Sequence, residues 1–442
     1  MNANFQFSLR SMAKVLSLCL AISFLFAACK PTNPNWRKDI GSSQPLHKAT
    51  VALTEVIMHD VFNPPQASRI YAYSMVAGYE AAIANNPSYK SFAHQLSQLE
   101  DIPKPEGDIA NELASVTAYL ETAKGLVFSP KTLDAELKKL QAQYEAKGVP
   151  SDVYDRSIEY GKKVSAHILA WMKKDNYKQT RSMPKFTVRK EDGRWIPTPP
   201  AYKDGVEPNW MKVRPFALDS AAQFIPVRPP AFMPEAQEVY NITKSLTEEQ
   251  KAIANFWDDN GFALQLQGHA MFSVKKITPG GHWMYIVKSA AQKAHTDFTQ
   301  TAQLYALTSV AVADAFVACW DEKYRSNRIR PETAINQSID PNWQPLLQTP
   351  PFPEYPSGHS TITSAAATTL THVLGASFAF TDSTETQFGL GTRSFPSFFA
   401  AAEEAGISRV YGGIHYNSAN EAGKTLGKKV GEYLLSKLNT KR

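Results

Sequence analysis

The sequence predicts an all-α protein: helical bundles around one long irregular insert rich in proline and tryptophan. Three observations carry this reading. Apolar residues recur at helical spacing through most of the chain, capping residues and prolines stand where such helices would begin or end, and strand-like alternation is scarce. With 442 residues, 43% of them hydrophobic, there is ample chain to bury a core without disulfide staples.

The elements follow in order. Residues 1–28 read as an export signal, in which Arg10 and Lys14 precede a short apolar run from Val15 to Ala28. That run is short for a membrane span. It ends Leu25-Phe26-Ala27-Ala28-Cys29, which resembles a bacterial lipobox with Cys29 as the lipidated residue. Secretion with cleavage after Ala28 is the alternative. Export and anchoring to a bacterial membrane, on its periplasmic or cell-surface side, are the expectation. Once Cys19 leaves with the signal and Cys29 carries lipid, Cys319 stands alone, which excludes an internal disulfide and a cysteine-rich zinc site.

Residues 29–47 read as a tether, because Lys30 to Pro45 is polar and holds Pro31, Pro34 and Pro45. An N-terminal helical region is expected over 48–176. Helices are placed from near Ala49, over Gln66 to Ala84 and Asp108 to Leu126, from Ser129-Pro130 to about Lys147, and over Asp152 to Lys174. The pattern then fails over 177–233, through Trp195-Ile196-Pro197-Thr198-Pro199-Pro200 and Arg228-Pro229-Pro230. This is read as an insert wrapping the helical body or framing a cleft.

A C-terminal helical, oxyanion-binding region is expected over 234–442. Helices are placed over Pro234 to Thr243, Thr247 to Asp258 and Asp297 to Lys323, where Tyr305, Thr308, Val312, Phe316 and Cys319 share a face. Another opens at Gly358 and stops at Gly375, and the last runs from Ser418 to Leu438, with Ser418 and Glu421 as a capping box. The net charge of +6 is not gathered into any long basic run, so nucleic acid is not an expected partner.

Three late segments carry chemistry. Lys323 and Arg330 set two cations at the end of the long helix, with Pro331 behind them. Thr349-Pro350-Pro351-Phe352-Pro353-Glu354-Tyr355-Pro356 delivers Ser357-Gly358-His359 onto a helix N-terminus, where free amides and the helix dipole favour an anion. Gly358 leaves its N–H open to an oxygen. Ser408-Arg409-Val410-Tyr411-Gly412-Gly413-Ile414-His415 adds a third cation and a second histidine. A buried oxyanion needs such cationic compensation, and two histidines in different surroundings can divide bonding from proton transfer.

Together these segments match K-x6-R-P, P-S-G-H and S-R-x5-H, and the chain resembles the phosphatidic acid phosphatase type 2/vanadium haloperoxidase superfamily over roughly 297–431. The resemblance implies helical bundles of the haloperoxidase or acid phosphatase type. It implies that Lys323, Arg330, Ser357, Gly358 and Arg409 bind phosphate or vanadate. In a haloperoxidase His415 would be the vanadium ligand and His359 would assist peroxide activation. In a phosphatase, His415 would be the nucleophile acting on a phosphoester without a cofactor, and His359 the acid.

The proline-rich approach resembles the haloperoxidase branch, as do Phe352 and Trp320, which are similar to its halide-side aromatics. Ile329 departs from the tryptophan usual before Arg-Pro. The expectation is a vanadate enzyme oxidising halide with hydrogen peroxide. A phosphomonoesterase and a non-catalytic oxyanion-binding protein are the alternatives, and the branch implies a possible homodimer. Asp258 or Asp259 is a candidate to orient Arg409, and His282, in the turn-rich Pro279-Gly280-Gly281-His282-Trp283, a candidate to lie near the site.

Overall fold

A computed structural model describes residues 33–261, 263–267, 270–273 and 276–441. The signal segment and Cys29 lie outside the described residues. The chain folds into fifteen helices among those described: α1 (Trp36–Ile40), α2 (Gln44–His59), α3 (Pro64–Ala82), α4 (Asn111–Lys124), α5 (Pro130–Ala146), α6 (Ser151–Met172), α7 (Tyr177–Thr180), α8 (Phe232–Lys244), α9 (Glu248–Phe256), α10 (Pro279–Lys293), α11 (Phe298–Ser326), α12 (Pro331–Ser338), α13 (Gly358–Leu374), α14 (Phe398–Tyr411) and α15 (Asn417–Lys437). Two short antiparallel ribbons complete it, β1 (Leu264–Gln267) with β2 (Ala270–Ser273), and β3 (Phe380–Asp382) with β4 (Arg393–Phe395).

The molecule is organised about α11. By length and composition it could cross a membrane, but its apolar window is wholly buried inside the fold. Helices α3, α4 and α6 pack in one bundle and α13, α14 and α15 in another, with α11 against both α3 and α13. A capping box between Asp297 and Gln300 opens α11, and Asn327, in the left-handed region at φ 48°, ends it. Helix α15 presses so close to α13 that a side chain at Gly427 would put its Cβ 2.0 Å from the Thr361 carbonyl oxygen.

The irregular insert over 177–233 binds the helical body through its backbone. The N–H groups of Phe216, Ala217 and Leu218 donate to the buried Asp314 carboxylate of α11 at 2.6–3.0 Å. The Val206 carbonyl accepts from Trp320 Nε1 (3.1 Å) and Tyr324 Oη (2.6 Å), while the Val206 N–H donates to Pro351 (3.0 Å). The insert therefore braces both the end of α11 and the proline run before α13.

Three expectations are corrected. The tether is not free over 33–47: Trp36, Ile40, Leu46 and His47 are buried, because α1 and the start of α2 carry apolar residues between the prolines. No capping box opens the last helix. Its cap position is Tyr416, and the Ser418 N–H donates instead to Glu235 of α8 (3.1 Å). The Pro279–Trp283 stretch is the first turn of α10, where proline suits the helix start and Thr278 caps it through the Gly281 N–H.

Candidate active site

The three motif segments converge at the junction of α11, α13 and the turn between α14 and α15. The proline run arrives through bends without regular structure, and Ser357, itself extended, becomes the cap of α13, its hydroxyl accepting weakly from the Ser360 N–H (3.4 Å). Ser360 Oγ lies 2.9 Å from Ser357 Oγ and donates to Asn420 Oδ1 (2.7 Å). The Gly358 and His359 amides stand in the first turn of α13, where helix geometry provides no partner. A Cβ at Gly358 would meet only Trp320 (3.7 Å) and Lys323 Cε (3.9 Å). Packing therefore does not demand glycine there, and the open face is free for an oxygen.

His415 is aimed by a sharp reversal. Gly413 takes φ 76° and packs under Trp343, so the chain leaves α14 and turns His415 inward. Glu354, fully buried, lies 2.9 Å from His415 Nδ1 and also accepts from the Tyr416 N–H (3.1 Å). Arg328 holds the other Glu354 oxygen at 3.3 Å. A carboxylate at Nδ1 fixes the proton there and leaves Nε2 as a lone-pair donor. Burial and the charges of Arg330, Lys323, Arg409 and then His359 drive the His415 pKa well below its ordinary value. The ring is therefore neutral, the form that bonds to a metal centre.

The three cations are anchored differently. Arg330, fully buried, donates through Nε to the Phe352 carbonyl (2.9 Å) and through Nη1 to the Ile414 carbonyl (2.8 Å), and Nη1 stands 3.2 Å from His415 Nε2. Its Nη2 is buried with no hydrogen-bond partner. Arg409 donates to Ser408 Oγ (2.9 Å) and to the carbonyls of Trp257 (2.6 Å) and Ala254 (3.3 Å). Lys323 gives its ammonium to the carbonyls of Pro353, Glu354 and Pro356 (2.6–3.1 Å), so contact with an anion must replace one of these. Burial, with Arg330 nearby, lowers the Lys323 pKa to about 7.

His359 is the other histidine of the cluster. Burial first, and then Arg409, lowers its pKa to about 4. Its Nε2 has no hydrogen-bond partner, and Asp259 Oδ2 stands 3.6 Å away. Asp259 is bound into the histidines and Asp258 pairs with Lys276, so the two candidates to orient Arg409 act on it through their charge rather than by direct pairing. Trp320 and Phe352 pack on each other (centroids 4.9 Å apart), with Lys323 Nζ and Arg330 Cζ each 5.1 Å from the Phe352 ring. Ile329 points away into a satellite core with Val239 and Ile335.

An oxyanion fits this donor set. Three guanidinium or ammonium groups, a helix N-terminus, an orphaned Arg330 N–H and the His415 Nε2, which only Arg330 approaches, face one another in a buried place, where an unfilled donor costs free energy. A solved bacterial vanadium-dependent iodoperoxidase superposes on this chain with a TM-score of 0.86 at 48% identity, covering 93% of this chain and 98% of that one. The chain belongs to the vanadium-dependent haloperoxidases.

The family model described as the VCPO second helical-bundle domain matches residues 303–441, which contain all three motif segments. A holo-type bacterial vanadium-dependent chloroperoxidase shares the haloperoxidase fold at 15% identity, with a TM-score of 0.63 over 86% of this chain and 93% of that one. No curated protein matches the chain. Two buried carboxylates that hold histidines carry no sequence mark: Glu354 stands within the proline run, and Asp382, which reaches His282, lies in no local motif.

Proposed function

We propose that this chain is a vanadium-dependent haloperoxidase, binding vanadate on His415 and using hydrogen peroxide to oxidise a halide. The observation that carries the reading is His415 itself: neutral, with Nδ1 turned to Glu354 and Nε2 directed at Arg330 inside a cage of fixed cations. The 48% identity to an iodoperoxidase supports iodide as the halide to test first. Phe352 and Trp320 are assigned to the halide side.

Bound vanadate would supply a Lewis acid that activates peroxide for two-electron oxidation of the halide, in which peroxide, halide and one proton give hypohalous acid and water. The chain's own residues do the remaining work. Arg330, Arg409 and Lys323 balance the anion's charge, and the Ser357 hydroxyl with the Gly358 amide orients its oxygens. His359, neutral in the empty site, takes a proton from an incoming peroxide through a ring nitrogen and returns it to the leaving oxygen.

Halogenation of a monochlorodimedone-type probe with peroxide and iodide, titrated with orthovanadate, is the test. Activity that rises with vanadate and is lost in His359→Ala and His415→Ala supports the proposal. Phosphomonoester hydrolysis that vanadate inhibits, without halogenation, would contradict it.

We also propose that Cys29 carries lipid and holds the enzyme on an exported membrane face, supported by the Leu25–Cys29 sequence. Labelling with a fatty-acid analogue that survives Cys29→Ser would contradict this.

A further inference from the structure

Behind His359 lies a buried charge cluster that the proposed chemistry does not yet use. His282, in the first turn of α10, has no solvent exposure and stacks flat on Trp257, with ring centroids 4.6 Å apart. Its Nδ1 lies 2.8 Å from Asp259 Oδ1 and its Nε2 lies 2.7 Å from Asp382 Oδ2. Asp382 ends β3, and its other oxygen accepts from the Thr384 N–H (2.9 Å) and hydroxyl (2.6 Å), so its position is fixed. Asp259 turns its remaining oxygen to His359 Nε2. Four side chains therefore run in line: Asp382, His282, Asp259, His359.

An imidazole bonded to a carboxylate at each nitrogen donates from both and must carry both protons. A cation there is what makes two buried carboxylates tolerable, since each alone would be neutralised. The neighbouring Glu385, its pKa raised to about 8 by burial and then by Asp259, supplies no third negative charge at neutrality. Asp259, His282 and Glu385 are close enough to hold a cation. Both nitrogens of His282 are already engaged, however, which favours the proton-bearing arrangement.

We propose that His282 is a positioning residue for the proton-handling histidine: clamped by Asp382, it holds Asp259 ionised and in place to orient His359. The inference rests on the reading of His359 given above. Asp258, Asp259 and Arg409 face His359. Asp259, Asp382 and Glu385 face His282, with Lys276 acting on Glu385. Without the His282 charge, buried Asp259 takes up a proton and ceases to favour the His359 imidazolium. The pH limb of turnover that reports His359 then moves to lower pH.

The test compares wild type, His282→Gln, Asp382→Asn and His359→Ala as full-length, vanadate-loaded proteins across pH, with iodide and peroxide as substrates. His282→Gln keeps a hydrogen-bonding side chain and removes the charge. Its kcat is expected to fall roughly 10–100-fold with iodide KM little changed, and its limb to move to lower pH, with a weaker shift in Asp382→Asn. Nitrogen-15 NMR of the vanadate-free wild type, histidine-labelled, should show one imidazole protonated at both nitrogens from about pH 5 to 9. This needs no variant to fold. Loss of a proton from His282 within that range overturns the proposal. So does wild-type kcat and pH limb in His282→Gln while His359→Ala is inactive. Full turnover in His359→Ala would instead remove the parent reading, and the role of His282 with it.

Discussion

Glu354 Oε1 and His415 Nδ1 lie 2.9 Å apart, both buried, in a pair that joins the proline run before α13 to the turn after α14. The bond settles which imidazole nitrogen faces the cations. Replacing Glu354 by Gln keeps the shape and removes the charge that fixes the tautomer. Vanadate affinity is expected to weaken roughly 10–100-fold, read by equilibrium titration, with fold retained by circular dichroism. An unchanged affinity would mean that His415 needs no such partner.

Lys323 makes anion binding depend on pH. Burial lowers its pKa to about 7, so above that the vanadate-free protein increasingly lacks the ammonium. Because a bound anion favours the charged form, binding takes up a proton and affinity falls as pH rises through about 7. Calorimetry in buffers of different ionisation enthalpy should detect the uptake. Lys323→Arg, which stays protonated, should lose this component and leave only the anion's own.

Phe352 packs on Trp320 and lies beside both Lys323 and Arg330. Phe352→Ala opens a cavity beneath these charges and is expected to cost about 3 kcal/mol of stability by denaturant unfolding. The iodide KM should rise if this ring lines the halide's side of the site. A stability loss with unchanged KM would make the ring structural only.

Gly427 tests the seat of α13 rather than the chemistry. Its Cβ would fall 2.0 Å from the backbone oxygen of Thr361, which cannot rotate away. Gly427→Ala should therefore displace α15 from α13 and destabilise the protein by about 2 kcal/mol or more. Equal melting temperatures for variant and wild type would contradict the close helix approach.

Much of this site was legible because its residues occupy helix ends, where sequence marks position. Pro331 after Arg330, the run into Ser357 and the Gly412-Gly413 turn before His415 each fix a side chain by local rules. Glu354 and Asp382 were not legible in the same way, since the histidines they hold lie 61 and 100 residues away. The insert's role was also hidden, because it acts through backbone groups, such as the Val206 carbonyl, that leave no side-chain signature.

Among helices, α14 and α10 were missed for separate reasons. Its run of small alanines mutes the amphipathic period of α14, and Pro279-Gly280-Gly281 reads as a turn until the Thr278 cap and tertiary packing favour helix. The polar composition around α1 concealed Trp36 and Ile40, two anchors too sparse to show a period.

The most direct test of the central claim is vanadium X-ray absorption on the vanadate-loaded protein, wild type beside His415→Ala. The account predicts a nitrogen scatterer at bonding distance in the wild type, absent from a variant that still folds. The same scatterer in His415→Ala, or none in the wild type, would contradict His415 as the residue that holds vanadate.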